Sequence, residues 1–411
     1  MALLGQPASG DDAILGVRPA RVLRPSTLDE AEEVVRQSAG QGLRLAFVGG
    51  GTELELGEPP AALDAVLSTR GLARVVEYAP LDQIVIAEAG LTLGALQATL
   101  RERGQMLALD PPWADRATLG GIVATNASGP RRVRYGSVRD LIIGVTLVRA
   151  DGTRARGGGK VVKNVAGFDL PKLMVGSLGS LGLIASVTFR LHPLPEAAST
   201  VLFSRAAPDL LRRVVQAMRR EQLEPSAVAA LALGADFELG VRFEGFEAGV
   251  RSQRDRLLGL SGALEARAEP LDDAAAGAFW ARHASVREAP ATFRAKLATL
   301  PTEVPRAASE AWPALREALG APRAAFYPTL GLGFVAGDSG ATDALAGAVT
   351  RARAALGPRG GRLVVHAAPP EVRARVPVWG AEPPARALLA QVKAALDPQQ
   401  RLSPGRVAGG V

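Results

Sequence analysis

"AFVGGGTEL", residues 46–54, sets three consecutive glycines directly behind a short apolar run. Glycine tolerates positive φ and carries no Cβ, so a ligand can come close to its main chain. Successive amides in such a turn can converge on an anion as a nest. The same glycines also make a tight loop between two strands, and on this stretch alone both readings stand. Two other nucleotide-binding patterns do not apply. A G-x-G-x-x-G fingerprint must open an apolar helix, whereas Gly51 is followed by Thr-Glu-Leu-Glu-Leu-Gly-Glu-Pro-Pro. A Walker loop needs Ser or Thr after its Gly-Lys, but Val161 follows Gly159 and Lys160, and Arg154 stands where its first glycine belongs.

Outward from the loop, the pattern is one of alternating helices and strands. Thr27, with Glu30 three residues on, reads as a capping box ahead of the apolar Ala31, Val34 and Val35, and the helix stops at residues 40–42. Residues 43–48 read as a buried strand and 82–90 as another. Thr92 caps a helix whose Leu93, Leu96 and Leu100 share one face. Residues 141–148 form a strand that turns at Asp151 and Gly152. A short helix near Asp169 precedes a strand that prolines close by residue 195. From about 197 to 370 the texture changes to alanine-rich helices (207–222, 247–259, 338–356) between apolar runs (237–243, 323–337, 361–368), the mark of an α+β domain with an antiparallel sheet. A proline-rich connector and a last helix at 385–396 follow.

A second polar cluster lies in "DPPWADRATLGGIVATNASGPRRVRYGSVRD", residues 110–140. Its hydroxyl and amide groups suit the polar edge of a flat ligand, and Leu119, Ile122 and Val123 suit its body. Arg131, Arg132, Arg134 and Arg139 read as a solvated face or as partners for an acidic group. A third segment, "KVVKNVAGFDLPKLMVGSLGSLGLI" (160–184), holds three of the five lysines and glycines at 176, 179 and 182.

Composition narrows the choices. The 411 residues exceed one simple core and point to two or three domains. A formal charge of +7, from 48 basic and 41 acidic residues, is diluted over the chain, with no basic block or aromatic stacking motif for nucleic acid. There is no cysteine, so disulfides, thiol catalysis and iron–sulfur ligation by this chain are excluded. No apolar run reaches bilayer length, and the first residues lack a signal pattern. The expected setting is cytoplasmic, with membrane contact at most peripheral, at the inner face and through partners.

In order, the Val-Gly-Gly-Gly-Thr loop, the Thr-Leu-Gly-Gly cluster with Asn-Ala-Ser-Gly, the Tyr-Gly and the Gly-Ser-Leu-Gly-Ser-Leu-Gly-Leu-Ile segment resemble the vanillyl-alcohol-oxidase/PCMH-type FAD-binding family. The likeness covers about 20–195 and returns at "LDPQQRLSPGR", residues 396–406. Within the family, the 161–184 segment looks most like the smaller FAD-binding subunit of bacterial glycolate oxidase. Leu178 stands where the larger subunit usually has glutamate.

The resemblance implies an α+β fold: a two-lobed FAD-binding domain (1–195), an α+β cap domain with an antiparallel sheet (196–375) that meets substrate or partner, and a tail (376–411) returning to the first domain. It implies that Val48, Gly49, Gly50, Gly51, Thr52, Glu53 and Leu54 bind the pyrophosphate. Pro111, Thr118, Gly120, Gly121, Ala124, Asn126 and Gly129 would line the flavin and ribityl, and Gly182 and Ile184 the adenosine side. With no cysteine, and with His192, His283 and His366 outside both clusters, FAD is expected to be non-covalent. Lys163 is a candidate cation beside the reduced flavin; the alternative pairs it with Asp169 and leaves Lys160 and Lys172 on the surface.

No catalytic base and no metal site emerge: the three histidines are unpaired in sequence, and His366 alone lies in a plausible place, near the end of the cap. Two functional expectations follow. One is an FAD-binding subunit of a glycolate-oxidase-like complex, passing electrons from a small 2-hydroxy acid to a larger FAD-binding subunit and an iron–sulfur subunit. The other is a free-standing FAD-dependent oxidoreductase of a small hydroxy acid or alcohol, with arginines gripping a carboxylate.

Overall fold

Leu45, Leu67 and Leu23 are buried apolar residues on short neighbouring runs, each worth about 2 kcal/mol when removed from water. They form a small sheet in which Arg21–Leu23, Ala65–Ser68 and Leu45–Val48 run parallel, with Ala65–Ser68 between the other two. Gln6–Pro7 adds an antiparallel edge. The computed structural model describes residues 5–160 and 167–410; the candidate Lys163 lies outside them.

The chain divides into two units. The first joins Met1–Gly129, Gly136–Leu194 and Glu382–Val411. Besides the parallel sheet it holds a five-stranded antiparallel one, in the order Val75–Ala79, Ile84–Glu88, Leu183–Arg190, Ile142–Val148, Arg154–Gly158. Helix Leu28–Gly40 buries Ala31 and Val35, and Thr27 accepts from the Glu30 amide. The expected reciprocal bond differs by one residue: the Glu30 carboxylate reaches the amide of Ser26 at 2.7 Å and its hydroxyl at 2.8 Å. Helix Leu93–Arg101 buries Leu93, Leu96 and Leu100 under the Thr92 cap. The tail returns here as well. Helix Arg386–Leu396 leads to residues 401–403, where Leu45 donates to Arg401 and Ser403 donates to Leu45.

The second unit joins Pro130–Tyr135 to Pro195–Ala381. Its core is an eight-stranded antiparallel sheet, ordered Ala268–Leu271, Ala197–Ala206, Asp236–Gly245, Ala227–Leu233, Leu319–Tyr327, Leu332–Ser339, Phe293–Ala298, Arg362–Ala367. The apolar run at 323–337 is therefore a hairpin of two strands. Helix Pro208–Arg220 buries Leu210, Leu211, Val214, Val215 and Met218 in its larger core. The arginine-rich segment 130–135 is held in this unit by ion pairs: Arg131 with the buried Glu244 at 2.5 Å, and Arg134 with Glu224. Arg242 shares the Glu244 carboxylate at 3.1 Å.

Candidate cofactor site

The glycine loop is shaped by what crowds it. A Cβ on Gly50 would stand 1.8 Å from the carbonyl oxygen of Arg116, and Gly51 holds φ at +76°. Any other residue would clash at the first position and be strained at the second. Two side chains then fix the peptide planes. Arg70 donates through Nε to the Gly49 carbonyl at 3.0 Å and through Nη2 to the Gly50 carbonyl at 3.3 Å. In a trans peptide the N–H points opposite its C=O, so the amides of Gly50 and Gly51 face away from Arg70. The Gly50 amide meets Thr118 Oγ1 at 3.3 Å. The Gly51 and Thr52 amides take no protein acceptor among the described residues.

Thr118 is also the N-cap of helix Leu119–Thr125 and accepts from the Gly121 amide at 3.4 Å. One hydroxyl thus ties the first glycine cluster to the second. The two clusters, joined by 178–184, wall an open cleft of about 800 Å³. Its lining includes Val48, Gly49, Gly50, Gly51, Thr52, Glu53, Leu54, Thr118, Gly120, Gly121, Ala124, Gly182 and Ile184. Three residues named with them from the sequence do not line it. Pro111 is buried elsewhere in the unit. Asn126 caps the C-terminus of the Leu119–Thr125 helix in the left-handed conformation. The Gly129 amide donates to Asp110 at 2.7 Å.

The sequence reading missed Ile14, Thr69, Leu178, Ser403 and Arg406, which also line the cleft. The tail motif was the signal that could have drawn in the last two. The tail is held by cations on carbonyls. Lys393 Nζ donates to Ser180, Leu402 and Asp397 Oδ2, each at 2.7 Å. Burial pushes its ammonium below the ordinary lysine range, against the pull of Asp397. Arg401 donates to the Leu43 carbonyl at 3.0 Å and Arg406 to those of Leu54 and Leu56 at 2.8 and 2.6 Å.

Residues 19–158 match the family model described as "FAD binding domain". Over that stretch the chain carries a FAD-binding domain. It is 34% identical over 228 residues to glycolate oxidase subunit GlcE of Escherichia coli (strain K12), covering 55% of this chain and 63% of that one. It is 31% identical over 203 residues to a D-2-hydroxyglutarate dehydrogenase of Xanthomonas citri pv. viticola, covering 49% of this chain and 43% of that one. The chain thus spans less than two thirds of the length of either relative. Its fold is that of p-cresol methylhydroxylase, with a TM-score of 0.75 at 15% identity over 95% of this chain and 89% of that one.

The cleft of the FAD-binding domain fits its cofactor on this structure's own terms. Glycines let the main chain approach, the Gly51 and Thr52 amides take no protein acceptor among the described residues, and Leu54, Leu178 and Ile184 supply apolar wall.

The remaining sequence candidates have their places too. Lys160 pairs with Glu77 at 2.6 Å and Lys172 with Asp169 at 2.9 Å, both toward the surface. In the second unit, His283 Nε2 lies 2.8 Å from the buried Tyr327 hydroxyl. Its ring sits edge-on to Trp280, and burial pushes its pKa down to about 4. His192 pairs through its backbone with Met106, and His366 lies on the edge strand Arg362–Ala367. Among the described residues no group of three or more His, Cys, Asp or Glu could hold a metal, and no helix is long and apolar enough to cross a membrane.

Proposed function

We propose that this chain is the FAD-binding subunit of a glycolate-oxidase-like 2-hydroxy-acid dehydrogenase complex. It passes electrons from a small hydroxy acid to a larger FAD-binding subunit and an iron–sulfur subunit. The observation that carries this reading is the glycine cleft, with its inward amides, in a chain similar to a glycolate oxidase subunit. FAD, when bound, supplies hydride acceptance.

The chain's residues do the rest. The amides of Gly51 and Thr52 would hold the diphosphate non-covalently, Thr118, Gly120, Gly121 and Ala124 would hold the flavin and ribityl, and Gly182 and Ile184 the adenosine side. Proton removal is where the chain is poorly equipped. A base near neutrality is the usual means, whereas His283, pushed down to about 4 by burial and engaged with Tyr327, is a weak base. Electrons leave through partners, because a chain without cysteine ligates no iron–sulfur cluster.

The test is turnover of glycolate or D-lactate with a dye acceptor. The isolated chain is expected to be yellow, to release its flavin on acid precipitation, and to turn over only when the partner subunits are added. Steady turnover by the chain alone would favour a free-standing oxidoreductase.

A further inference from the structure

A diphosphate brings negative charge into a cleft whose glycine loop offers only neutral amides. Among the described residues lining that cleft, the charged ones are Glu53 and Arg406. Arg406 comes from the C-terminal tail, far from the loop in sequence, and is only 5% exposed. Its guanidinium is anchored to the loop's far end through the Leu54 and Leu56 carbonyls. Its main chain is fixed too, since Glu58 donates to the Arg406 carbonyl at 3.2 Å and the Arg406 amide donates to Ser403 at 3.3 Å. A buried cation with a planar fork, held rigidly at the wall of an anion nest, is pre-organised for phosphate oxygens.

We propose that Arg406 is a diphosphate-binding residue of the cofactor cleft, the charge partner that the glycine loop itself lacks. The assignment rests on the cofactor reading above. It means that the C-terminal tail brings an electrostatic contact to the site as well as closing the sheet edge.

The experiment titrates the full chain, freed of flavin, with ADP and with adenosine, probes that differ in the diphosphate alone. Arg406→Met is expected to weaken ADP by about tenfold to a hundredfold, the usual worth of a hydrogen bond to a charged group, and to leave adenosine within about twofold. Arg406→Lys keeps the charge and should recover a substantial part of the ADP affinity. Equal losses for ADP and adenosine would show that Arg406 only braces the loop, and no loss for ADP would show that it does not reach the phosphates; either overturns the proposal.

Should Arg406→Met not fold, the wild-type chain still decides. Added salt should weaken ADP and spare adenosine, as screening of a charge contact requires, and an ADP affinity indifferent to salt overturns the assignment. A wild-type chain that binds neither FAD nor ADP removes the cofactor reading, and Arg406 with it. One that binds FAD but shows no charge-dependent ADP contact removes Arg406 alone.

Discussion

Replacing Lys393 with methionine tests how the tail builds the cleft. Lys393 is 2% exposed, and Asp397 is fully buried. A lysine ammonium has three donors and no acceptor, and here all three are used, on Ser180, Leu402 and Asp397. Methionine fills the volume and leaves the carboxylate buried without its cation. Breaking a buried pair from one side costs about 3–5 kcal/mol. Removing both charges in Lys393→Met/Asp397→Leu should cost less than the single change, although the Leu402 amide then loses its 2.7 Å bond to Asp397, an orphan worth about 1–3 kcal/mol. Because the chain has two units, a single unfolding midpoint would blur the effect. Hydrogen exchange resolved by segment is the better assay. Exchange in Lys393→Met should rise at 178–184 and 401–406, and flavin retention should fall with it. Unchanged exchange at 178–184, or a double variant less stable than the single one, would refute the reasoning.

Three further outcomes are expected. Gly50→Ala puts a methyl 1.8 Å from the rigid Arg116 carbonyl, an overpacking of about 1–3 kcal/mol or more, so flavin binding measured by fluorescence quenching should be lost while the circular dichroism of the fold persists. Arg70→Met frees the Gly49 and Gly50 carbonyls and lets the peptide planes turn; flavin affinity should fall about tenfold, in line with about 1.5 kcal/mol for a charged hydrogen bond, and thermal stability should fall with it as two carbonyls lose their donor. His283 has a folded pKa near 4, below its unfolded value of 6.5, so the unfolded chain binds more protons in that window. Stability of the second unit should therefore rise as pH climbs from about 4 to 6.5, by about 3 kcal/mol, and His283→Gln should flatten that limb in pH-dependent urea unfolding.

What could be read from the sequence was local. Thr27 and Thr92 each precede an apolar stripe at helical spacing, and each caps its helix; Thr118, read only as a cofactor-side hydroxyl, caps a third. The glycine clusters announced close main-chain approach because no other residue allows it. Signals that depend on distant partners were silent. Ala65–Ser68 is four residues without alternation, and it becomes a central strand only because two others flank it in parallel. Helix Asp273–Glu288 buries just Phe279 and Val286, too few to print a period on its alanine-rich run. Asn126, a cofactor residue on the resemblance, also holds the left-handed conformation of a helix C-cap, which its neighbours in sequence did not announce. Nothing in its own helix marks Lys393 as buried; only the tail's return buries it.

The cations around the cleft answer one physical need. To aim amides at an anion, a loop must turn the carbonyls of the same peptides the other way, into protein rather than water. No neighbouring strand is in register to receive those carbonyls, and buried carbonyls left unmet are costly. At Gly49 and Gly50 the chain meets the need with Arg70, which reaches in from elsewhere; Arg406 on Leu54 and Leu56, and Lys393 on Ser180 and Leu402, satisfy other carbonyls around the cleft. Read this way, basic residues around a glycine-rich cleft have a role that charge counting misses. At Gly49 and Gly50 such a residue holds the outward carbonyls, and through them sets the direction of the inward amides. A variant that keeps every glycine but loses Arg70 should therefore bind flavin less well than one that loses an exposed arginine such as Arg101, although neither changes a residue of the loop.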